Sequence, residues 1–408
     1  EKACRVLGQP VCDHCLGRQF GQLLSGFTNA ERGKALRMMV AMSIDREEKL
    51  SEKDRSIDLT NFYSPQFRKL KDAGENIETK CLVCGDIFKR LYPLVGKAVT
   101  ASKKMEWRTF VVGTRLSNEL LGAEEKLWER AGINYCEPIK AELNRELGKT
   151  IEKLCKNKEF DPKTHDIAFL FDMDSTKVSV KIFPIFIYGE YQKLVRGIPQ
   201  TKWPDKRYKT SVEQIIAKPF MTAMKGSGHK LHGCGREDID ARCLAWRPFV
   251  IEILEPIIRK IDIKKIVRKI SKQVKVRNMR LSNIQEVRVI KEARLEKSYK
   301  AIVVSDETFT PENVRRILSL GGQIIRQRTP NRVAHRRADL TRKRQVVSIK
   351  AKKTGKNQFE IIVRGEAGLY IKELISGDEG RTKPSISEII GVKCRCKELD
   401  VVGIHKKK

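Results

Sequence analysis

The 408-residue sequence has little of what most enzyme chemistries require. It contains six histidines, none in an HExxH or similar pattern, so histidine-based metal hydrolysis or acid–base catalysis has little support. No GxxxxGK[ST] loop is present, which removes the P-loop mode of phosphate binding. There is no GxSxG and hence no nucleophile elbow. The glycines of "KGSGHKLHGCG" do not follow a strand and open a helix, as a dinucleotide fingerprint would, and no methyl-donor loop is evident. No run of 18 apolar residues occurs, and the C-terminal HKKK carries no lipidation signal. A membrane-spanning or lipid-anchored chain is therefore not expected. Acid is also scarce: 51 Asp and Glu stand against 83 Lys and Arg, for a formal net charge of +32. Such an excess is the electrostatic footprint of a nucleic-acid binder.

What is present is enough to fold. Hydrophobic residues make up 40%, sufficient for real cores, and the length suits two or three domains. Eleven cysteines is an odd number, spread along the chain without a secretory signal. That favours a reducing, cytoplasmic compartment, with cysteines as metal ligands or core residues.

The texture changes along the chain. Residues 1–95 hold two CxxC pairs and a charged, mostly helical stretch. From Trp107, "RTFVVGT" reads as a buried strand, and "EEKLWERAGI" and "IKAELNRELGKTIEKLC" carry apolar residues at helical spacing. "DIAFLFDMD" and "KVSVKIFPIFIYG" read as strands, so a compact α/β unit is expected here. "KLVRGIPQTKWP" resembles a linker. Beyond it, "VEQIIAKPFMTAM" is helical. "RPFVIEILEP", "IQEVRVIKEARLEKSYKAIVVS", "QVVSIKAKKTGKNQFEIIVRGEAG" and "LDVVGI" read as strands. "PENVRRILSL" and "SISEIIG" read as helices, the first opened by Thr310 as N-cap and Pro311 in the first turn. The fold class is therefore α+β and multidomain: a helical N-terminal module over 1–95, an α/β domain with its linker over 96–200, and an antiparallel-sheet domain over 201–408.

"CDHC" supplies Cys12 and Cys15, and "CLVC" supplies Cys81 and Cys84. Two CxxC pairs can close a four-thiolate structural zinc site with no open coordination position. The long stretch between the pairs exceeds a ribbon's usual spacing, so the pairing is a tertiary expectation with a helical insert between the knuckles. His14 is the weaker ligand candidate. Cys394 and Cys396 lack a partner motif and default to core or surface thiols.

From Arg326 to Arg344, "RQRTPNRVAHRRADLTRKR" carries eight Arg or Lys and one Asp. It lies between a helix-like segment and an apolar strand, which places it on a folded domain. Guanidinium forks there suit phosphates and exposed bases.

Chemistry is left to "GREDID", acids beside Arg236 in a glycine-bounded turn. This stretch resembles the catalytic loop of pseudouridine synthases, whose pattern is Gly-Arg-x-Asp. The likeness continues in chain order. "KSYKAIV" resembles the strand whose tyrosine packs on the target base, and "GLYIKELISGDEGRTKPS" resembles the segment whose basic residue pairs with the aspartate. With "CDHCLGRQF", "TNAERG", "IPQTKWP" and "HRRADLTRKR", the whole chain is similar to the archaeal tRNA pseudouridine-54/55 synthases. The resemblance implies an N-terminal zinc module, a THUMP-like RNA-binding domain and a pseudouridine synthase domain. It also implies a cofactor-free isomerase acting on the T-arm of tRNA, with no membrane and no stable protein partner.

Carried onto this sequence, the likeness makes Asp238 the nucleophile or base and Lys372 its cationic partner. Tyr299 becomes the residue that stacks on the base. Arg236 would occupy the space of the flipped nucleotide or hold its phosphate. Tyr370, Arg336 and Arg337 would contact RNA. Asp240 is the alternative acid, with Asp238 then capping the turn. Attack on the sugar and removal of its 2′ proton both remain open. An inert tRNA-binding protein is the rival reading; a THUMP-linked methyltransferase or thiouridine synthase would need loops the sequence lacks. The chain departs from the family pattern at Ala245 and Trp246, where glycines are expected, and at Glu190, where arginine is.

Overall fold

The computed structural model describes residues 1–49, 80–204 and 207–405. It is an α+β protein of two compact units, Glu1–Phe183 and Pro184–Lys408. Among the described residues no helix is long and apolar enough to cross a membrane.

The first unit begins with α1 (Lys2–Leu7), α2 (Asp13–Gly17) and α3 (Asn29–Lys49). The remainder of the expected helical insert, 50–79, lies outside the described residues. Gly17 and Gly33 are needed where α2 and α3 cross. A Cβ on either would fall 1.8 Å from the Asn29 carbonyl oxygen or 1.9 Å from that of Asp13. After α4 (Leu91–Ser102), β1 (Thr109–Arg115) leads through α5 (Asn118–Ala131) and α6 (Ile139–Leu154) to β2 (Glu159–Phe160), β3 (Ile167–Asp172) and β4 (Lys177–Ile182). The sheet runs β2-β1-β3-β4. β1 and β3 are parallel, so the chain must cross over between them, and α5 and α6 make that crossover. Ser117 caps α5 through the Leu120 amide. Leu143, Leu147 and Ile151 of α6 share a core with Phe110 and Phe169.

The second unit contains β5 (Ile185–Lys193), α7 (Val212–Met224), β6 (Gly228–Gly233), β7 (Arg242–Leu254), α8 (Ile263–Val267), β8 (Val274–Ser282), α9 (Ile284–Glu292) and β9 (Glu296–Ser305). It continues through α10 (Pro311–Leu318), β10 (Ile324–Arg328), β11 (Thr341–Gly355), β12 (Gln358–Gly365), α11 (Ile371–Ser376), β13 (Thr382–Lys383), α12 (Ile386–Ile390) and β14 (Cys394–His405). The strand order is β13-β10-β11-β12-β9-β14-β7-β5-β8, with β6 also on β7. Among the described residues of this unit, only the β14–β7 pairing is parallel.

The apolar run of β7 is explained by cover on both faces. Phe249, Ile251 and Ile253 pack in the core that includes α7, while Val250 packs with Val287 and Ile290 of α9.

Two expectations from the sequence change here. "KVSVKIFPIFIYG" is two strands in two sheets: β4 pairs with β3, and β5 pairs with β7 and β8. The break falls at Phe183 and Pro184. The first half of "IQEVRVIKEARLEKSYKAIVVS" is the helix α9. Asn283 caps it through the Glu286 amide, and Val287 and Ile290, three apart, are its buried residues. Its β-branched content mimicked a strand. The capped helix at Thr310 forms as expected, with a reciprocal Thr310–Asn313 capping box.

Two family departures meet on one guanidinium. Arg277 of β8 lies over the Trp246 ring at 4.3 Å and donates to Glu190 at 2.7 Å.

Candidate active site

The turn between β6 and β7, residues 234–241, gives its three acids three different surroundings. Gly235 has φ of +76°, and a Cβ there would lie 3.3 Å from Arg247 Nη1 and 3.4 Å from Lys297 Nζ. A side chain there would be strained at that φ and would crowd both cations.

Glu237 points inward. Its Oε2 lies 3.1 Å from Arg247 Nε, and neither side chain is exposed to solvent. The Tyr191 hydroxyl donates to both carboxylate oxygens at 3.1 and 3.0 Å. Gln200 donates in turn to the Tyr191 oxygen at 2.8 Å and to the Gly235 carbonyl at 3.0 Å. Lys193, fully buried, spends its ammonium on the carbonyls of Ile198, Asp238 and Ile239 at 3.0, 3.0 and 3.2 Å. Arg196 donates to the carbonyls of Asp240 and Leu399, both at 2.8 Å, and pairs with Asp400 at 2.7 Å. A buried ion pair and a set of cation-to-carbonyl bonds therefore determine where the turn sits.

Asp238 faces a cleft of about 550 Å³ and keeps 30% of its side-chain exposure. Arg332 Nη1 donates to its Oδ1 at 3.1 Å, and Lys372 Nζ stands 3.5 Å from its Oδ2. Asp240 is 68% exposed and holds Lys372 more closely, at 2.6 and 2.8 Å. Burial would raise the Asp240 pKa, but the Lys372 ammonium outweighs it and the net shift is downward. Arg332 also grips Glu373 at 2.6 Å. Burial disfavours its charge, yet Glu373 and Asp238 leave it more basic than a free guanidinium.

The sequence-derived residues Arg236, Asp238, Tyr299, Arg337, Tyr370 and Lys372 all line this cleft. Arg236 lies 6.0 Å from the centroid of the Trp203 ring, and Arg337 donates to the Tyr370 hydroxyl at 2.7 Å. Burial pushes the Tyr299 phenol up to about 12, so it keeps its proton at neutral pH. The side chain of Arg336 lies outside the described residues. The expected pairing shifts: Lys372 is shared with Asp240, and the cation bonded to Asp238 is Arg332, which the sequence reading saw only as one member of a basic run. Glu373, Lys193 and Lys297 were not singled out at all. A signal existed for Lys297, two residues before Tyr299 on one strand and hence on the same face. None existed for Arg332, 94 positions from Asp238.

In the first unit, the sulfurs of Cys12, Cys15, Cys81 and Cys84 lie within 4.8 Å of one another. This donor set fits a metal ion bound by four thiolates. Buried Arg18 donates to Cys15 Sγ at 2.9 Å and pairs with Glu124 at 3.2 Å, orienting one ligand from outside. His14 is engaged elsewhere: it bonds Glu142 at 2.8 Å and stacks on Phe88 at 4.0 Å.

Residues 186–405 match the family model described as Pus10, C-terminal, and residues 94–172 match the archaeal Pus10 THUMP domain. A protein of Methanocaldococcus jannaschii named tRNA pseudouridine synthase Pus10 is 39% identical over 97% of this chain and 92% of its own length. Proteins of the same name from Pyrococcus furiosus and Thermofilum pendens are 38% and 36% identical. They cover 99% and 100% of this chain, and 97% and 95% of their own lengths.

Proposed function

The chain belongs to the Pus10 family of tRNA pseudouridine synthases, and from that premise we propose that it isomerises uridines 54 and 55 of the tRNA T-arm, with Asp238 as the reacting carboxylate. The observation that carries this reading is the meeting of Asp238, Tyr299 and Lys372 in one cleft of nucleoside size, although 134 positions separate the first from the last.

The chemistry follows from the residues. The bond from C1′ to uracil N1 breaks, the base turns, and C1′ rejoins at ring carbon 5. Asp238 acts on the sugar, either by attacking C1′ or by taking the 2′ proton. Arg332 bonds its carboxylate and Lys372 stands beside it, in a pocket that excludes water once RNA covers it. Tyr299 stacks on the base, and its hydroxyl can take the proton that leaves carbon 5 as it gives its own to ring nitrogen 1. The target must leave its stack to enter. Arg236, beside Trp203, holds the backbone or fills the vacated space, and Tyr370, Arg336 and Arg337 contact the RNA. The net charge of +32 draws the polyanion in. No organic cofactor is required. The four-cysteine site holds a structural zinc ion, contributed by Cys12, Cys15, Cys81 and Cys84, which takes no part in the reaction. The protein works in the cytoplasm, where tRNA is matured.

The test is pseudouridine mapping, nucleotide by nucleotide, on an unmodified archaeal tRNA transcript without methyl donor or ATP. The native chain modifies the T-arm; Asp238→Asn binds the transcript with a rate lower by about 10⁴-fold. Retained activity in that variant moves the assignment to Asp240. Binding without pseudouridine in the native chain replaces the enzyme with an RNA-binding protein.

A further inference from the structure

The mechanism above leaves one cation of the cleft unused. Lys297 is 7% exposed, yet it lines the cleft. Its ammonium donates to the Leu295 carbonyl at 3.2 Å; no other hydrogen bond and no carboxylate partner is found for it among the described residues. An ammonium has three N–H groups, so two have no acceptor among the described protein residues. Buried lysines usually carry a full set of acceptors, as Lys193 at the end of β5 does with three carbonyls. Lys297 and Arg247 also approach the same point behind Gly235. Burial and the Arg247 charge both lower the Lys297 pKa. Arg247 is matched by Glu237, whereas Lys297, with one carbonyl acceptor and no carboxylate, is placed to meet negative charge arriving in the cleft.

The strand indicates where that charge arrives. Lys297 and Tyr299 are two residues apart on β9 and so share a face, about 7 Å apart along the strand. A base stacked on Tyr299 brings its edge within reach of the Lys297 ammonium.

We propose that Lys297 is a further catalytic residue, donating to a carbonyl oxygen of the departing uracil and stabilising the negative charge it acquires. This rests on the synthase reading. When C1′–N1 breaks, the bonding electron pair goes to the base. The sugar is satisfied by a new bond from Asp238 to C1′ or by loss of its 2′ proton to Asp238. The uracil is then a monoanion with charge spread over N1, O2 and O4. That charge disappears again when carbon 5 attacks C1′, which releases the Asp238 carboxylate from C1′ or takes the 2′ proton back from it, and the carbon 5 proton is finally lost as N1 gains one. No other reactant is required. The ammonium is already desolvated and in place, so it strengthens as charge develops rather than when neutral uridine binds.

The experiment uses the full chain and single-turnover kinetics on two tRNA transcripts, one with uridine and one with 5-fluorouridine at the target. Fluorine draws electrons from the ring and makes the base a better leaving group, less dependent on outside stabilisation. Cleavage is followed as loss of the N1-linked nucleoside. Lys297→Met lowers the uridine rate by about 100-fold or more, leaves tRNA affinity within about threefold, and loses at least about tenfold less on 5-fluorouridine. Lys297→Gln, which keeps a donor without the charge, falls between Met and the native residue, and serves if the Met variant does not fold. An unchanged rate, or an equal loss on both substrates, overturns the proposal while the synthase reading stands. A native chain that makes no pseudouridine fails the parent reading instead.

Discussion

The four thiols of the first unit and the three acids of the β6–β7 turn are both clusters of like groups, but they are held by different means. Each carboxylate has a cation beside it: Arg247 at Glu237, Arg332 at Asp238, and Lys372 at Asp240 and, more distantly, Asp238. The charges are neutralised by residues of the same chain, and the turn needs nothing added in order to form. The thiols face one another, within 4.8 Å. Arg18 reaches Cys15, but one guanidinium cannot neutralise four thiolates. That cluster requires an external cation to be stable in its ionised form. The lesson is that like groups able to hold a resident ion are left uncompensated by the chain, whereas the carboxylates of a substrate cleft are compensated beforehand.

Removing the ion should break the comparison most strongly. Structural four-thiolate zinc contributes about 10–16 kcal/mol in small domains. A strong chelator, or Cys81→Ser, is therefore expected to abolish the cooperative unfolding transition of residues 1–183 and leave that of residues 184–408 in place. Elemental analysis should find one metal per chain, lost in the variant. A single shared transition, unaltered by chelation, would show that the thiols are held together without an ion.

An intermediate effect is expected from unpairing the turn from within. Arg247→Met leaves Glu237 buried without its cation, at a cost of about 3–5 kcal/mol in urea unfolding. Adding Glu237→Leu should recover most of that loss, because what destabilises is the uncompensated charge. If the double variant is as unstable as the single, the pair contributes shape and not charge balance.

The smallest effect concerns the outer support. Burial raises the Asp400 pKa, but Arg242 at 2.6 Å and Arg196 outweigh it and leave it lowered. A carboxyl whose folded pKa lies below its unfolded value contributes above about pH 4, and that contribution is lost as pH falls through the folded value. Asp400→Asn should cost about 1–2 kcal/mol at pH 7. The gap between variant and native protein should then close on acidification. A gap that persists at pH 2 would mean the residue acts through packing.

Local signals were readable in the sequence, and long-range ones were not. The Thr310–Pro311 helix start depends on residues three apart, and the CxxC pairs announce themselves by spacing. The apolar run of β7 was legible as a strand because cover on both faces leaves no polar alternation. The helix α9 was misread because Ile284, Val287, Val289 and Ile290 suit either periodicity, and only packing against Val250 decides between them. The aspartate, tyrosine and lysine of the cleft were found through family likeness, since nothing local distinguishes Asp238 from its neighbours. That Glu237 turns inward depends on Tyr191 and Arg247, which lie on two other strands. Ala245 and Trp246, where the family pattern has glycines, fall on β7 rather than in the turn. Trp246 lies instead against Arg277, while the turn is held by Arg247, Lys193 and Gln200.

The last described strand, β14, is inserted between β9 and β7 in the middle of the sheet, and its Leu399 and Val401 form part of the cleft wall. During synthesis, Asp238 and Tyr299 leave the ribosome well before residues 394–405 do. Until those residues arrive, β9 and β7 have exposed edges and the cleft has no floor. The cleft is therefore completed only after this strand has left the ribosome and inserted between β9 and β7.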